Sequence, residues 1–117
     1  MPEWNSDMQA ERTAGAEPAE IPVELGRAGA LHLLGKKEEA VAELSRLLER
    51  RPDYAPAYRV RAMLYMEIGD ASRALDDLEK YHGMGFGDAR SRLVRAECML
   101  KAGRWEEAAD QFQALLD

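Results

Sequence analysis

Ala57-Tyr58-Arg59-Val60-Arg61-Ala62-Met63-Leu64-Tyr65-Met66-Glu67-Ile68-Gly69-Asp70, continued from Ala71 to Tyr81, is the stretch whose reading decides the fold. It reads as two short helices separated by Gly69-Asp70. The glycine ends the first helix, and the Asp70 carboxylate can accept a hydrogen bond from the free amides that open the second. Helical hairpins of this length cannot bury their apolar faces alone, so copies of the unit are sought on either side.

The copies are present at a period of 34 residues. Gly35, Gly69 and Gly103 share one column, as do Ala40, Ala74 and Ala108, Ala28, Ala62 and Ala96, and Arg27, Arg61 and Arg95. Other columns keep their character: Leu44, Leu78 and Phe112; Leu47, Tyr81 and Leu115; Leu31, Tyr65 and Met99. The expected architecture is all-α, a solenoid of three helical hairpins with six helices near residues 22 to 34, 37 to 50, 55 to 68, 71 to 82, 89 to 102 and 105 to 116. Asp53 and Asp88 are expected to cap the first helices of copies two and three as Asp70 caps a second helix, and Pro22 and Pro56 sit near helix starts, where a missing amide costs little. Alanines are assigned to the close crossing within a pair, and Leu or Phe at the later columns to the space between pairs.

In this register the chain resembles the tetratricopeptide repeat family, whose 34-residue unit is a helix-turn-helix. The resemblance spans residues 21 to 117, with repeats at 21–54, 55–88 and 89–117, and Pro52 closes copy one where the family expects proline. The outer copies depart from the pattern. Glu24 and Arg92 stand at the large apolar position that Tyr58 fills, and Gly26 and Gly29 weaken the first helix by about 1 kcal/mol each relative to alanine. His82-Gly83-Met84-Gly85-Phe86-Gly87-Asp88 replaces the compact turn and proline after copy two; its glycines suggest a bent or mobile connection rather than a phosphate cradle, with Met84 and Phe86 tucked against a neighbouring helix. Residues 1 to 20 lie outside the repeats. They carry five acidic residues against Arg12 and are expected to form an acidic, flexible tail in which Trp4 and Met8 share a helical face.

Composition narrows function by exclusion. The 117 residues carry a net charge of −6, whereas a domain that wraps phosphate backbone leans basic, so no nucleic acid partner is expected. One cysteine, Cys98, and two histidines, His32 and His82, do not make a disulfide or a zinc framework; no metal and no cofactor are expected. There is no signal peptide pattern and no run of the ~18 to 20 apolar residues that spans a bilayer, so membrane association is not expected and a cytoplasmic location follows by default. His32 and Cys98 are a whole repeat apart, and the pairs Asp76-Asp77 and Glu106-Glu107 are read as solvated, outward-facing carboxylates. No nucleophile and base come together, and the chain is expected not to be an enzyme.

The resemblance implies that function resides in the concave face, lined by the first helix of each hairpin. Carried over by position, the groove takes Leu25, Gly29, His32 and Leu33 from copy one and Arg59, Met63, Met66 and Glu67 from copy two. Copy three adds Arg90, Leu93, Glu97, Leu100 and Lys101. Adaptable thioethers on an apolar floor with flanking charges suit a protein or peptide segment as partner. Repeats that clamp the C-terminal carboxylate of heat-shock chaperones need lysine and asparagine on the first helix and asparagine on the next; those places hold Leu25, Gly29 and Val60. The arginine column is read as structural, with Glu43 and Asp77 as partners. The alternative to an interaction module is a self-assembling scaffold, a homo-oligomer formed through uncapped repeat ends where Ala109 and Leu116 face outward.

Overall fold

A computed structural model describes residues 21–117. Six helices follow one another: α1 Val23–Leu33, α2 Lys37–Arg50, α3 Ala55–Ile68, α4 Ala71–Gly83, α5 Ala89–Lys101 and α6 Trp105–Leu116. They pair as α1/α2, α3/α4 and α5/α6, and α2 packs on α3 as α4 packs on α5. The expected tail of residues 1–20 lies outside the described residues.

The glycine column has a common cause. Gly35, Gly69 and Gly103 adopt φ of 81°, 100° and 84°, the left-handed region that a side chain resists. That turn aims the next amide back at the ending helix. Lys36, Asp70 and Arg104 each donate from the backbone N–H to the carbonyl of Leu31, Tyr65 and Met99 at 2.8 Å. One bond, repeated at the period, sets the angle between the two helices of every hairpin.

Packing follows the columns. Ala28, Ala62, Ala96, Ala40, Ala74 and Ala108 are all buried, so paired helices approach closely where these alanines meet. Leu44, Leu47, Leu64, Leu75 and Leu78 are at most 2% exposed, each worth roughly 1.5 to 3 kcal/mol of burial. One core cluster joins the first hairpin to α3 and a second joins the α3/α4 hairpin to the third.

Three expectations need correction. Asp53 does not cap α3: Tyr54 is the N-cap residue and makes no side-chain cap bond, because Pro56 in the first turn already removes one free amide. Asp70 and Asp88 do cap, accepting from the Arg73 amide at 3.1 Å and the Ser91 amide at 2.8 Å. Asp77 does not face solvent; it is buried and receives Arg61. In the connection after copy two, α4 runs on through Gly83, and only Gly85 adopts a positive φ, 92°. Met84 is half-buried against the first core cluster, but Phe86 stacks on Tyr81 at a ring separation of 5.7 Å and stays 54% exposed.

Candidate functional site

The arginine column holds the hairpins together. Each arginine on a first helix meets the residue sixteen positions later on the second helix of its own hairpin. Arg61 donates through Nε and Nη2 to both carboxylate oxygens of Asp77 at 2.8 and 2.7 Å, and through Nη1 to Ser45 Oγ of the preceding hairpin at 3.0 Å. Its guanidinium also lies 5.9 and 5.8 Å from the rings of Tyr58 and Tyr65. The hydrogen-bonded Asp77 carboxylate holds the guanidinium pKa above its ordinary value against the opposing effect of burial. Arg27 reaches Glu43 only at 3.8 Å, and Glu43 also bonds Arg46. Arg95 donates to the neutral Gln111 Oε1 at 3.0 Å.

These arginines are committed to the frame. Between α3 and α5 is a cleft of about 410 Å³ lined by Arg59, Met63, Leu78, Tyr81, Asp88, Arg90, Ser91 and Val94. Its floor is apolar and includes two residues of α4, while its rim carries two cations. Arg59 meets only the Met63 sulfur, at 3.8 Å, and Arg90 has no ion-pair partner among the described residues. Asp88 is occupied in the α5 capping box, where hydrogen bonds from Ser91 hold its carboxyl below the usual carboxylate range.

The other expected groove residues divide between the open face and the core. Met63, Leu93 and Leu100 are 46%, 45% and 50% exposed and available for contact; Glu97 and Lys101 are also exposed. Met66 is not a free groove side chain. It is half-buried against the second core cluster, with its sulfur 3.2 Å from Cys98 Sγ. Leu25 is half-buried against the first cluster. His32 Nε2 lies 2.9 Å from Glu67 Oε1, and Lys37 Nζ approaches the same carboxylate at 3.5 Å, so this end of the face is a closed polar cluster. The bond from His32 holds the Glu67 carboxyl below its ordinary pKa. Leu78, Tyr81, Ser91 and Val94 were outside the sequence-based groove; a clue to the first two lay in the Leu44/Leu78/Phe112 and Leu47/Tyr81/Leu115 columns, which reach between hairpins.

A wider hollow of about 490 Å³ over the α3–α4 turn is lined by Ile68, Gly69, Asp70, Ala71, Ser72, Lys101 and Ala102, without a comparable apolar floor. Among the described residues no group of three or more His, Cys, Asp or Glu side chains is placed to hold a metal ion, and no helix is long and apolar enough to cross a membrane. Burial of the Cys98 thiol pushes its pKa up to about 11, so at neutral pH it is a protonated core side chain.

The tetratricopeptide repeat family model matches residues 91–117. DnaJ homolog subfamily C member 3 of Mus musculus is 28% identical over 110 residues, which is 94% of this chain and 22% of that protein. The chain thus spans about a fifth of the length of the curated relatives it matches. Among solved structures, the TPR domain of P58(IPK) superposes with a TM-score of 0.68 at 29% identity, covering 80% of this chain and 26% of the other. The second TPR of Spaghetti (RPAP3), bound to the HSP90 peptide SRMEEVD, superposes with a TM-score of 0.70 at 22% identity, covering 80% and 86%.

Proposed function

Since the chain belongs to the tetratricopeptide repeat family, we propose that it is a protein-interaction module whose concave face takes an acidic peptide segment carrying an apolar anchor. The observation that carries this reading is the cleft between α3 and α5. Arg59 and Arg90 stand on its rim without carboxylate partners among the described residues, over a floor of Met63, Leu78, Tyr81 and Val94. An apolar side chain of the segment enters the cleft, and its carboxylates meet the two guanidinium groups. Exposed Leu93 and Leu100 extend the contact along α5.

The RPAP3 domain is bound to a peptide that combines methionine with acidic residues, a chemistry this cleft also suits. A carboxylate clamp is not part of this reading, because Leu25, Gly29 and Val60 stand where the resemblance implies that such a clamp needs lysine and asparagine. Internal carboxylates, rather than a chain end, are the preferred ligand groups.

The test uses fluorescent acidic heptapeptides with a central methionine or leucine, offered both with a free C-terminus and amidated. Equal binding of the two forms is expected. Arg59→Glu should raise the Kd at least about tenfold and flatten its salt dependence, since exposed charges are screened within about 10 Å at 0.1 M salt. Met63→Glu with Leu100→Glu should abolish binding and leave Tm nearly unchanged. Met66 is unsuited to this test because its replacement would disturb the core. Full binding by the folded double variant would place the interaction on another face.

A second reading, self-association, draws on α6, where Leu116 is 80% exposed, Trp105 70% exposed, and Ala109 open. Sedimentation across a hundredfold range of concentration tests it: a constant monomer mass removes this reading.

A further inference from the structure

The joint between the second and third hairpins shows how one hairpin receives the next. The residues that meet there follow in order along the seam of α4 and α5. His82 lies against Ser91, Leu78 and Val94 line one cleft, Leu75 and Cys98 share one core cluster, and Ala71 and Ala102 line the hollow at the far end. All eight are buried or half-buried. One period after α4 its four columns hold Leu116, Phe112, Ala109 and Trp105 of α6; two periods before α5 its four columns hold Val23, Gly26, Ala30 and Leu34, on α1 and at its end. These last two sets are largely open. Leu116, Ala109 and Trp105 are exposed, as are Gly26 and Ala30, while Val23 and Leu34 are 82% and 69% exposed.

We propose that these two faces are partners across copies: the α6 face of one copy seats on the α1 face of the next, in the register of α4 on α5. The proposal rests on the self-association reading and names its contact. The contact is heterologous, because α6 meets α1 and not another α6. Each added copy therefore brings a fresh face, and assembly passes beyond the dimer.

Side-chain size argues for this occupant. The register sets Leu116 on Val23, Phe112 on Gly26, Ala109 on Ala30 and Trp105 on Leu34. A Cβ added at Gly26 would meet nothing within 4 Å, so α1 offers a socket where α5 carries Val94, and the bulkier Phe112 stands opposite it where α4 carries Leu78. The glycine that weakens α1 as an isolated helix thereby makes room for a neighbour. At the far end, the hollow of about 490 Å³ that Ala71 and Ala102 leave open in the second joint is filled, between copies, by Trp105 and Leu34. The polar contact also carries over. Arg61 donates to Ser45 of the preceding hairpin, and in the same register Arg27 of one copy meets Gln113 of its neighbour. Arg27 is 62% exposed and reaches Glu43 only at 3.8 Å, while Gln113 donates its amide to Asp117 at 3.1 Å, which leaves its carbonyl oxygen to accept.

Sedimentation of the full chain, of two variants and of their mixture tests the proposal. The parent should pass beyond dimer mass across a hundredfold rise in concentration. Gly26→Glu blocks the α1 face and Leu116→Glu the α6 face, so each alone should stay monomeric with Tm nearly unchanged, both positions being exposed. Mixed, they retain one intact face each and should form a one-to-one heterodimer and nothing larger. Ala30→Glu, on the same face as Gly26→Glu, should behave as that variant does, and Trp105→Ala should weaken assembly at least about tenfold. Assembly of folded Gly26→Glu and Ala30→Glu to the masses of the parent overturns the proposal while keeping self-association through α6. A mixture of the two blocked variants that stays monomeric while the parent assembles overturns it too, because the contact is then symmetric. A constant monomer mass of the parent overturns both this proposal and the self-association reading, and leaves the two faces to a different protein.

Discussion

In the middle hairpin an arginine is enclosed by a bidentate carboxylate, a hydroxyl and two aromatic rings; in the third, the arginine of the same column meets one neutral amide and its Nε finds no partner. Backbone register and residue type are the same, so the difference lies in the surroundings: the second helix offers Asp77 or Gln111 sixteen residues on, and the columns of Ser45, Tyr58 and Tyr65 hold Glu79, Arg92 and Met99 around Arg95. Asp77 commits Arg61 to the frame of the array, whereas Gln111 holds Arg95 by a weaker, uncharged bond. A column of identical residues thus describes a shared position without describing a shared strength.

Removing Asp77 separates the two cases most sharply. Asp77→Ala leaves a mostly buried guanidinium without its counter-ion and should cost about 3 kcal/mol in urea unfolding, while Gln111→Ala should cost about 1 kcal/mol. If the two losses are equal, the enclosure of Arg61 contributes nothing beyond a neutral hydrogen bond.

The joints between hairpins differ in the same way. At the first, Tyr58 donates its hydroxyl hydrogen to the Pro52 carbonyl at 2.8 Å. At the second there is no proline, and the backbone of Gly87 runs so close to His82 that an added Cβ would lie 2.5 Å from Nδ1. Gly87→Ala should therefore cost about 2 kcal/mol by displacing the imidazole, a loss visible as a lowered midpoint in urea. Caps discriminate at a finer scale: Asp70→Ala should cost about 1 kcal/mol, and Asp53→Ala should fall within about 0.5 kcal/mol of the parent, because only the first carboxylate receives a helix amide.

The smallest effect is a dependence on pH at the second joint. Burial, with Arg95 and Arg92 nearby, lowers the His82 pKa against the opposing influence of Ser91 and Asp88. The unfolded imidazole takes up its proton near the ordinary value of 6.5, before the folded one does, so the contribution is held above that pH and lost as pH falls below it. Unfolding midpoints at pH 7.5 and 5.5 should show the loss, and His82→Gln should remove this part of it.

Much of this was legible in the sequence because it is periodic. The glycine and alanine columns mark places where one backbone geometry admits few residue types, and they located all six helices and both faces of each hairpin. Asp53 was misread as a cap, and Asp77, rightly named as an arginine partner, was also read with Asp76 as facing solvent, because side-chain partners depend on local detail that repeats imperfectly. Pro56 changes the opening of α3, and the second carboxylate of Asp76-Asp77 turns inward to an arginine sixteen residues earlier. The cleft was half legible. Arg59, Met63 and Arg90 follow from first-helix positions, but Leu78 and Tyr81 enter from α4, where their columns place them between hairpins without showing that a cleft opens there. Met66 was assigned to the groove, yet it packs inward against the second core cluster, with its sulfur on Cys98.

The stacking of each helix on its neighbours in sequence also bears on how fast the array assembles. The principal packing partners lie within one or two helices of each other along the chain, so folding closes only short loops and the entropy lost before contacts form stays small. Such a topology places folding in the microsecond to millisecond range. The hairpin of α3 and α4 carries the bidentate ion pair and three of the most deeply buried leucines, Leu64, Leu75 and Leu78, while the array as a whole can begin to order at any repeat and propagate to its neighbours.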